Sequence, residues 1–126
     1  MNYYSEADRM EIIEDIIDLD PKMRFVALID LKGNILEAIM KAGKTSLKTQ
    51  KEEEHFCRQV AKRRKMRKEF DKSLGKVRYV NVEREKVTQM VIYTKRMTVY
   101  FTMEPELSIT RKVQIVNKIK KMTANL

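Results

Sequence analysis

Three β-rich runs, KVRYVNVER (76–84), VTQMVIYT (87–94) and MTVYFTM (97–103), are separated only by the pairs Glu85-Lys86 and Lys95-Arg96. Two residues close a hairpin but cannot carry a crossover, so the runs must pair as antiparallel neighbours. A second hairpin precedes them. RFVALIDL (24–31) and NILEAIMK (34–41) meet at the turn Lys32-Gly33-Asn34, and the continuous apolar character of the first run predicts a strand covered on both faces.

Helical signals fill the remaining chain. Ser5 and Asp8 suit an N-cap and its N3 partner, Met10, Ile13, Ile16 and Ile17 form an apolar stripe, and Asp20-Pro21 stops the helix. Residues 42–51 are small and polar, a loop before a long helix that opens on Glu52, Glu53 and Glu54, runs to Leu74 and closes on Gly75. Glu104-Pro105-Glu106 introduces the last helix, with Ile109, Val113, Val116 and Ile119 on one face and Arg111, Lys112, Lys118, Lys120 and Lys121 elsewhere. The predicted order is α-β-β-α-β-β-β-α, an α+β fold with a five-stranded antiparallel sheet and helices on both faces. With 126 residues, three glycines and two prolines, little is left for linkers, and one domain over residues 1–126 is expected.

No apolar run nears the roughly 18 residues that cross a bilayer, and the start MNYYSEADR has neither a basic nor an apolar leader segment. A cytoplasmic protein without membrane contact is expected. The net charge of +9 is unevenly spread: seven carboxylates and one arginine in residues 1–20 give −6, which leaves +15 on the rest. An acidic first helix can neutralise part of a basic body, so the high charge does not by itself demand a nucleic-acid partner.

Sites for chemistry are few. Gly43-Lys44-Thr45-Ser46 resembles the end of a phosphate-binding loop, but Ala38 stands where that loop needs its first glycine. His55 and Cys57, two apart on a helix, point about 200° apart and cannot act as base and nucleophile within one chain. The lone cysteine forms no internal disulfide, and with one histidine beside it there is no zinc set. No enzyme, metal or cofactor is expected. The nine methionines suit adaptable core packing, with a soft partner groove as the alternative.

The stretch RQVAKRRKMRK (58–68) carries the strongest charge. At about 100° per residue, Phe56, Val60, Phe70 and Leu74 share one face, and Arg63 and Arg67 fall about 20° either side of its centre. Arg58, Lys62, Lys65, Lys68 and Lys72 take the opposite side and read as solvated. Guanidinium groups on a buried face must either snorkel to water or meet an anion, from Glu37, Glu83, a dimer-related acid or an external ligand. Arg63, Arg67, Arg64 and Lys68 are therefore the candidate anion- or partner-binding residues. Along residues 76–84, Val77, Tyr79, Asn81 and Glu83 alternate with Arg78, Val80, Val82 and Arg84, a mixed pattern that suits an edge strand.

The order and lengths of these elements resemble the roadblock/LC7 group of the profilin-like fold. That resemblance implies first and last helices on one sheet face and the middle helix on the other. It also implies a homodimer that pairs the edge strand across a two-fold axis and lays the two middle helices side by side, with Arg78, Val80, Val82 and Arg84 in the seam. At the level of motifs the chain is similar to a family of small archaeal proteins of no established activity with L-D-P-K-x-R-F and G-K-x-R-Y. Asp20, Pro21, Lys22, Arg24, Phe25 and Asp30 fit the first part; Gly75, Lys76, Arg78 and Tyr79 fit the second. Arg84 departs, standing where an aromatic residue is more usual.

Three roles follow as expectations. The first is a non-enzymatic homodimeric regulatory or scaffold module acting through protein contacts. The second is nucleic-acid binding through the basic middle and C-terminal helices, although no aromatics interleave the cations for stacking. The third is a small-ligand sensor, which needs a cavity with convergent polar groups between sheet and helix.

Overall fold

The computed structural model describes residues 5–126. Residues 1–4, part of the start MNYYSEADR in which no leader segment is expected, lie outside the described residues. The elements are α1 (Glu6–Ile17), β1 (Met23–Asp30), β2 (Ile35–Met40), α2 (Gln50–Lys68), α3 (Asp71–Leu74), β3 (Val80–Glu83), β4 (Thr88–Tyr93), β5 (Met97–Met103) and α4 (Ile109–Met122). One antiparallel sheet of order β2-β1-β5-β4-β3 results. The two hairpins join where β1 and β5 pair, from Met23↔Met103 to Asp30↔Met97.

Both faces of the sheet are covered, which accounts for the uninterrupted apolar runs of β1 and β5. Under α1 and α4 lies the larger core, where Ile13, Ile16, Leu28, Phe101, Ile115 and Ile119 are among its fully buried members. Under α2 lies the smaller one, built from Ala27, Ile29, Cys57, Val60, Val91 and Tyr100. Truncating a side chain such as Phe101, which is wholly buried, costs about 3–5 kcal/mol by lost transfer energy and the cavity left behind. Burial also pushes the Cys57 thiol up to about 12, so it packs as a small apolar group.

Local chemistry sets the helix entries. Ser5 and Asp8 form a reciprocal capping box on α1, and Thr49 and Glu52 form another on α2. Asp30 organises the β1–β2 turn: Oδ1 accepts from the Lys32 and Asn34 amides at 2.9 Å each, and Oδ2 accepts from Asn34 Nδ2 at 3.0 Å. That turn sits tightly against α2. Gly33 has φ +94°, and a Cβ there would lie 2.6 Å from the Arg58 Cα.

Two elements differ from the sequence reading. The long helix does not reach Leu74 unbroken: α2 ends at Lys68, Phe70 has φ −103° and ψ 4°, and a single turn, α3, follows. The first C-terminal strand is paired only over Val80–Glu83, so residues 76–79 connect rather than pair.

Candidate functional site

The rotation of α2 decides which of its cations meet the sheet. Cys57, Val60 and Ala61 are its buried residues, and their mean direction lies about 90° around the helix from the face read in the sequence. That face included Phe70 and Leu74, which stand beyond the break. They are 58% and 81% exposed. Arg63 is correspondingly exposed and does not enter the protein.

Arg64 takes the inward position instead. Its Nη1 donates to the Met97 carbonyl at 2.6 Å and to Thr98 Oγ1 at 3.0 Å, and Nη2 donates to the Thr94 carbonyl. Its guanidinium carbon stands 5.0 Å from the centre of the Tyr93 ring. Arg67, one turn on, donates from Nη1 to Tyr93 Oη at 2.8 Å. The anion expected for this face is therefore a set of carbonyl and hydroxyl oxygens at the β4–β5 turn. No carboxylate among the described residues is involved, and Glu37 instead takes Arg9 while Glu83 takes Lys112.

Reading across the sheet fixes the free flank of α2. Ala61 lies over the β1–β2 turn at Gly33, Arg64 reaches β5, and Arg67 reaches β4. Continuing in the same sense at about 100° per residue brings Arg63 and Met66 to the side of β3. Met66 is 63% exposed. Among the described residues β3 pairs only with β4, so its outer edge carries unpaired backbone groups.

The faces of β3 follow the alternation read from sequence. Val80 packs against the small core under α2, and Tyr79 packs against the large core. Val82 is 40% exposed and Arg78 is exposed. Arg84 turns back onto its own sheet, donating from Nε to Gln89 Oε1 at 2.6 Å. On the other face Glu83 anchors the edge to α4. Lys112 Nζ donates to its two oxygens at 3.0 and 3.1 Å and to the Pro105 carbonyl at 3.1 Å. Lys112 is 3% exposed, a correction to its sequence placement away from the packed face. Burial would raise the Glu83 carboxyl, but hydrogen bonds from Thr88, Lys112 and Asn81 and the Lys112 charge outweigh it and hold the group below its ordinary value.

Most of the motif residues serve the fold. Arg111 Nε donates to Asp20 Oδ2 at 2.9 Å, Lys22 pairs with Glu106 at 3.1 Å, and Arg24 pairs with Glu104 at 2.7 Å. These contacts tie the entry of β1 to the entry of α4. Pro21 is exposed in the turn, Gly75 closes α3 at φ +84°, and Lys76 is exposed. Phe25 stands edge-on to Tyr100 with ring centres 6.1 Å apart.

The remaining cations of α2 face outward. Arg58, Lys62, Arg63, Lys65 and Lys68 are exposed, and none of them takes part in the salt bridges among the described residues. No helix among the described residues is long and apolar enough to cross a membrane.

A five-stranded sheet with α1 and α4 on one face and α2 on the other is the roadblock/LC7 form of the profilin-like fold. The chain belongs to the family of unknown function DUF6659, whose profile matches residues 6–125. It is similar in structure to MglB in a tetrameric arrangement, at 15% identity and TM-score 0.77, with 98% of this chain and 91% of that chain covered. The gliding protein MglB from Thermus thermophilus is similar at 14% identity and TM-score 0.77, with 98% and 92% covered. The roadblock/LC7 domain from Streptomyces avermitilis is similar at 11% identity and TM-score 0.63, with 90% and 95% covered. No curated protein sequence matches the chain.

Proposed function

We propose that this chain is a one-domain, non-enzymatic regulatory or scaffold module that pairs with a second copy of itself through β3 and α2 and acts by protein contacts. The observation that carries the reading is the open β3 edge beside an apolar flank, with Val82 and Met66 both exposed. An unprotected edge next to exposed apolar side chains is a template for strand addition, and a second copy supplies the same edge in the opposite direction. MglB, similar in fold, is found in a tetrameric arrangement, which supports assembly between copies. In the pair, Arg78, Val80 and Val82 line the seam, while Arg63 and Met66 face the partner's α2. Arg84 belongs to the cleft beside Gln89 rather than to the seam.

Light scattering on the eluting protein tests this directly. The expected mass at tens of micromolar is twice the chain mass of 15.0 kDa. Substituting Val82→Lys together with Met66→Lys should return the single-chain mass, because like charges then meet across the two-fold axis. A single-chain mass for the unmodified protein overturns the reading.

The outward cations of α2 favour a second reading, contact with nucleic acid. About five phosphate contacts give a log–log salt slope near −4.5. Absence of DNA and RNA binding at low salt removes this reading and leaves the first intact.

A further inference from the structure

A cleft of about 660 Å³ opens between the 41–49 loop, the first turns of α2 and the β3–β4 turn. That volume is in the range of small-molecule sites, about 300–1,000 Å³. Its floor is Tyr100, a residue with no exposed surface. The hydrogen-bond directions at that floor can be fixed. Arg84 Nε–H donates to Gln89 Oε1 at 2.6 Å, which turns the Gln89 amide nitrogen toward Tyr100, where it donates to Oη at 3.0 Å. Lys48, ion-paired to Glu53 at 2.9 Å, donates to the same Oη at 3.1 Å. The phenol oxygen thus accepts twice, and its own hydrogen has no acceptor among the described residues. Buried donors without an acceptor are rare in native proteins.

The mouth carries exposed cations. Both terminal nitrogens of Arg84 and the Lys86 ammonium have no acceptor among the described residues, and Glu85 between them offsets one of the two charges. The lining is mixed, and its apolar part includes Leu47, Val87 and Phe56, whose ring centre lies 4.9 Å from that of Tyr100. Donors at floor and mouth, one unbalanced positive charge and a flat apolar wall match an oxygen anion carried on a hydrophobic body.

We propose that this cleft binds a small aromatic monocarboxylate, whose oxygens accept both from Tyr100 and Lys48 and from the Arg84 fork and whose ring lies against Phe56. The site lies within one copy of the chain and does not depend on self-association.

The test is a titration of the whole ¹⁵N-labelled chain with 1-naphthoate, with uncharged 1-naphthamide and inorganic phosphate as comparisons. Saturable shifts around Lys48, Val87 and Tyr100 with Kd below about 1 mM are expected for naphthoate, and binding at least about tenfold weaker for naphthamide. Phosphate should shift those amides weakly or not at all, since it offers nothing to the aromatic wall. Arg84→Ala and Tyr100→Phe should each weaken naphthoate about tenfold. Arg84 is exposed, so its variant decides the matter if Tyr100→Phe does not fold. No saturable shift, equal binding of naphthoate and naphthamide, phosphate binding as tight as naphthoate, or unchanged affinity in the folded variants overturns the proposal.

Discussion

Lys112 and Glu83 meet across the outer part of the sheet, with the ammonium of α4 buried and the carboxylate of β3 half in water: their side chains are 4% and 42% exposed. The two ends of this bridge are therefore unequal. Glu83→Gln strands a buried cation and should cost about 2–3 kcal/mol, whereas Lys112→Met leaves a carboxylate that water can solvate and should cost half of that or less. Urea unfolding of the two variants measures the difference. Equal losses would mean that Lys112 is hydrated in solution.

Acid should weaken the fold through the same kind of group. Burial alone would raise Glu104, but hydrogen bonds from Lys44 and Arg24 and their charges hold it below its ordinary value of 4.5, as the corresponding contacts do for Glu83. A carboxyl depressed in the folded state stabilises fully above its unfolded value, and that contribution is lost as pH falls through the folded one. Melting temperature should thus be flat above about pH 5.5 and fall below about pH 4.5. Glu104→Gln should lower it at neutral pH and lessen the acid-dependent fall.

Arg64 and Arg63, adjacent in sequence, should behave as strangers. Arg64→Met removes the donor for the Met97 and Thr94 carbonyls and for Thr98, and should cost about 2–3 kcal/mol. Arg63→Ala in the single chain should stay within about 0.5 kcal/mol, as exposed substitutions do. Chemical denaturation distinguishes them, and comparable losses would restore Arg63 to the buried face.

Gly33→Ala should be far worse than Gly43→Ala although both glycines have positive φ. At Gly43 a new Cβ meets nothing within 4 Å, so only the left-handed backbone counts, about 1 kcal/mol. At Gly33 it would press on the α2 backbone at Arg58 and Cys57, so the turn or the helix must shift. A loss of more than about 2 kcal/mol, read by thermal unfolding, is the expected result.

Strands, turns and face assignments were legible because two-residue hairpins and period-two patterns are local signals. β5 occupies the 97–103 run as read, and the alternation of residues 77–84 places Tyr79 and Val80 on opposite cores. The phase of α2 was not legible. MRKEFDKSL contains no Gly or Pro to mark the break at Phe70, so a stripe drawn across it combined two segments that are not one continuous helix. Lys112 was missed for another reason: it lies one turn before Val116 on the buried side, and Glu83, which makes its burial tolerable, comes from β3. The cleft was invisible because Lys48, Gln89 and Tyr100 arrive from a loop and two strands. Only their meeting shows that the phenol hydrogen is unused.

The proposed module depends on β3 being covered by a second copy. Because Arg84 donates inward to Val87, strand alternation turns the amides of Asn81 and Glu83 toward the open edge. Amide hydrogen exchange of these two groups, followed as chain concentration rises through tens of micromolar, is the most direct measurement. Protection that grows with concentration and disappears in Val82→Lys is the expected result; exchange at the solvent rate at every concentration would contradict it.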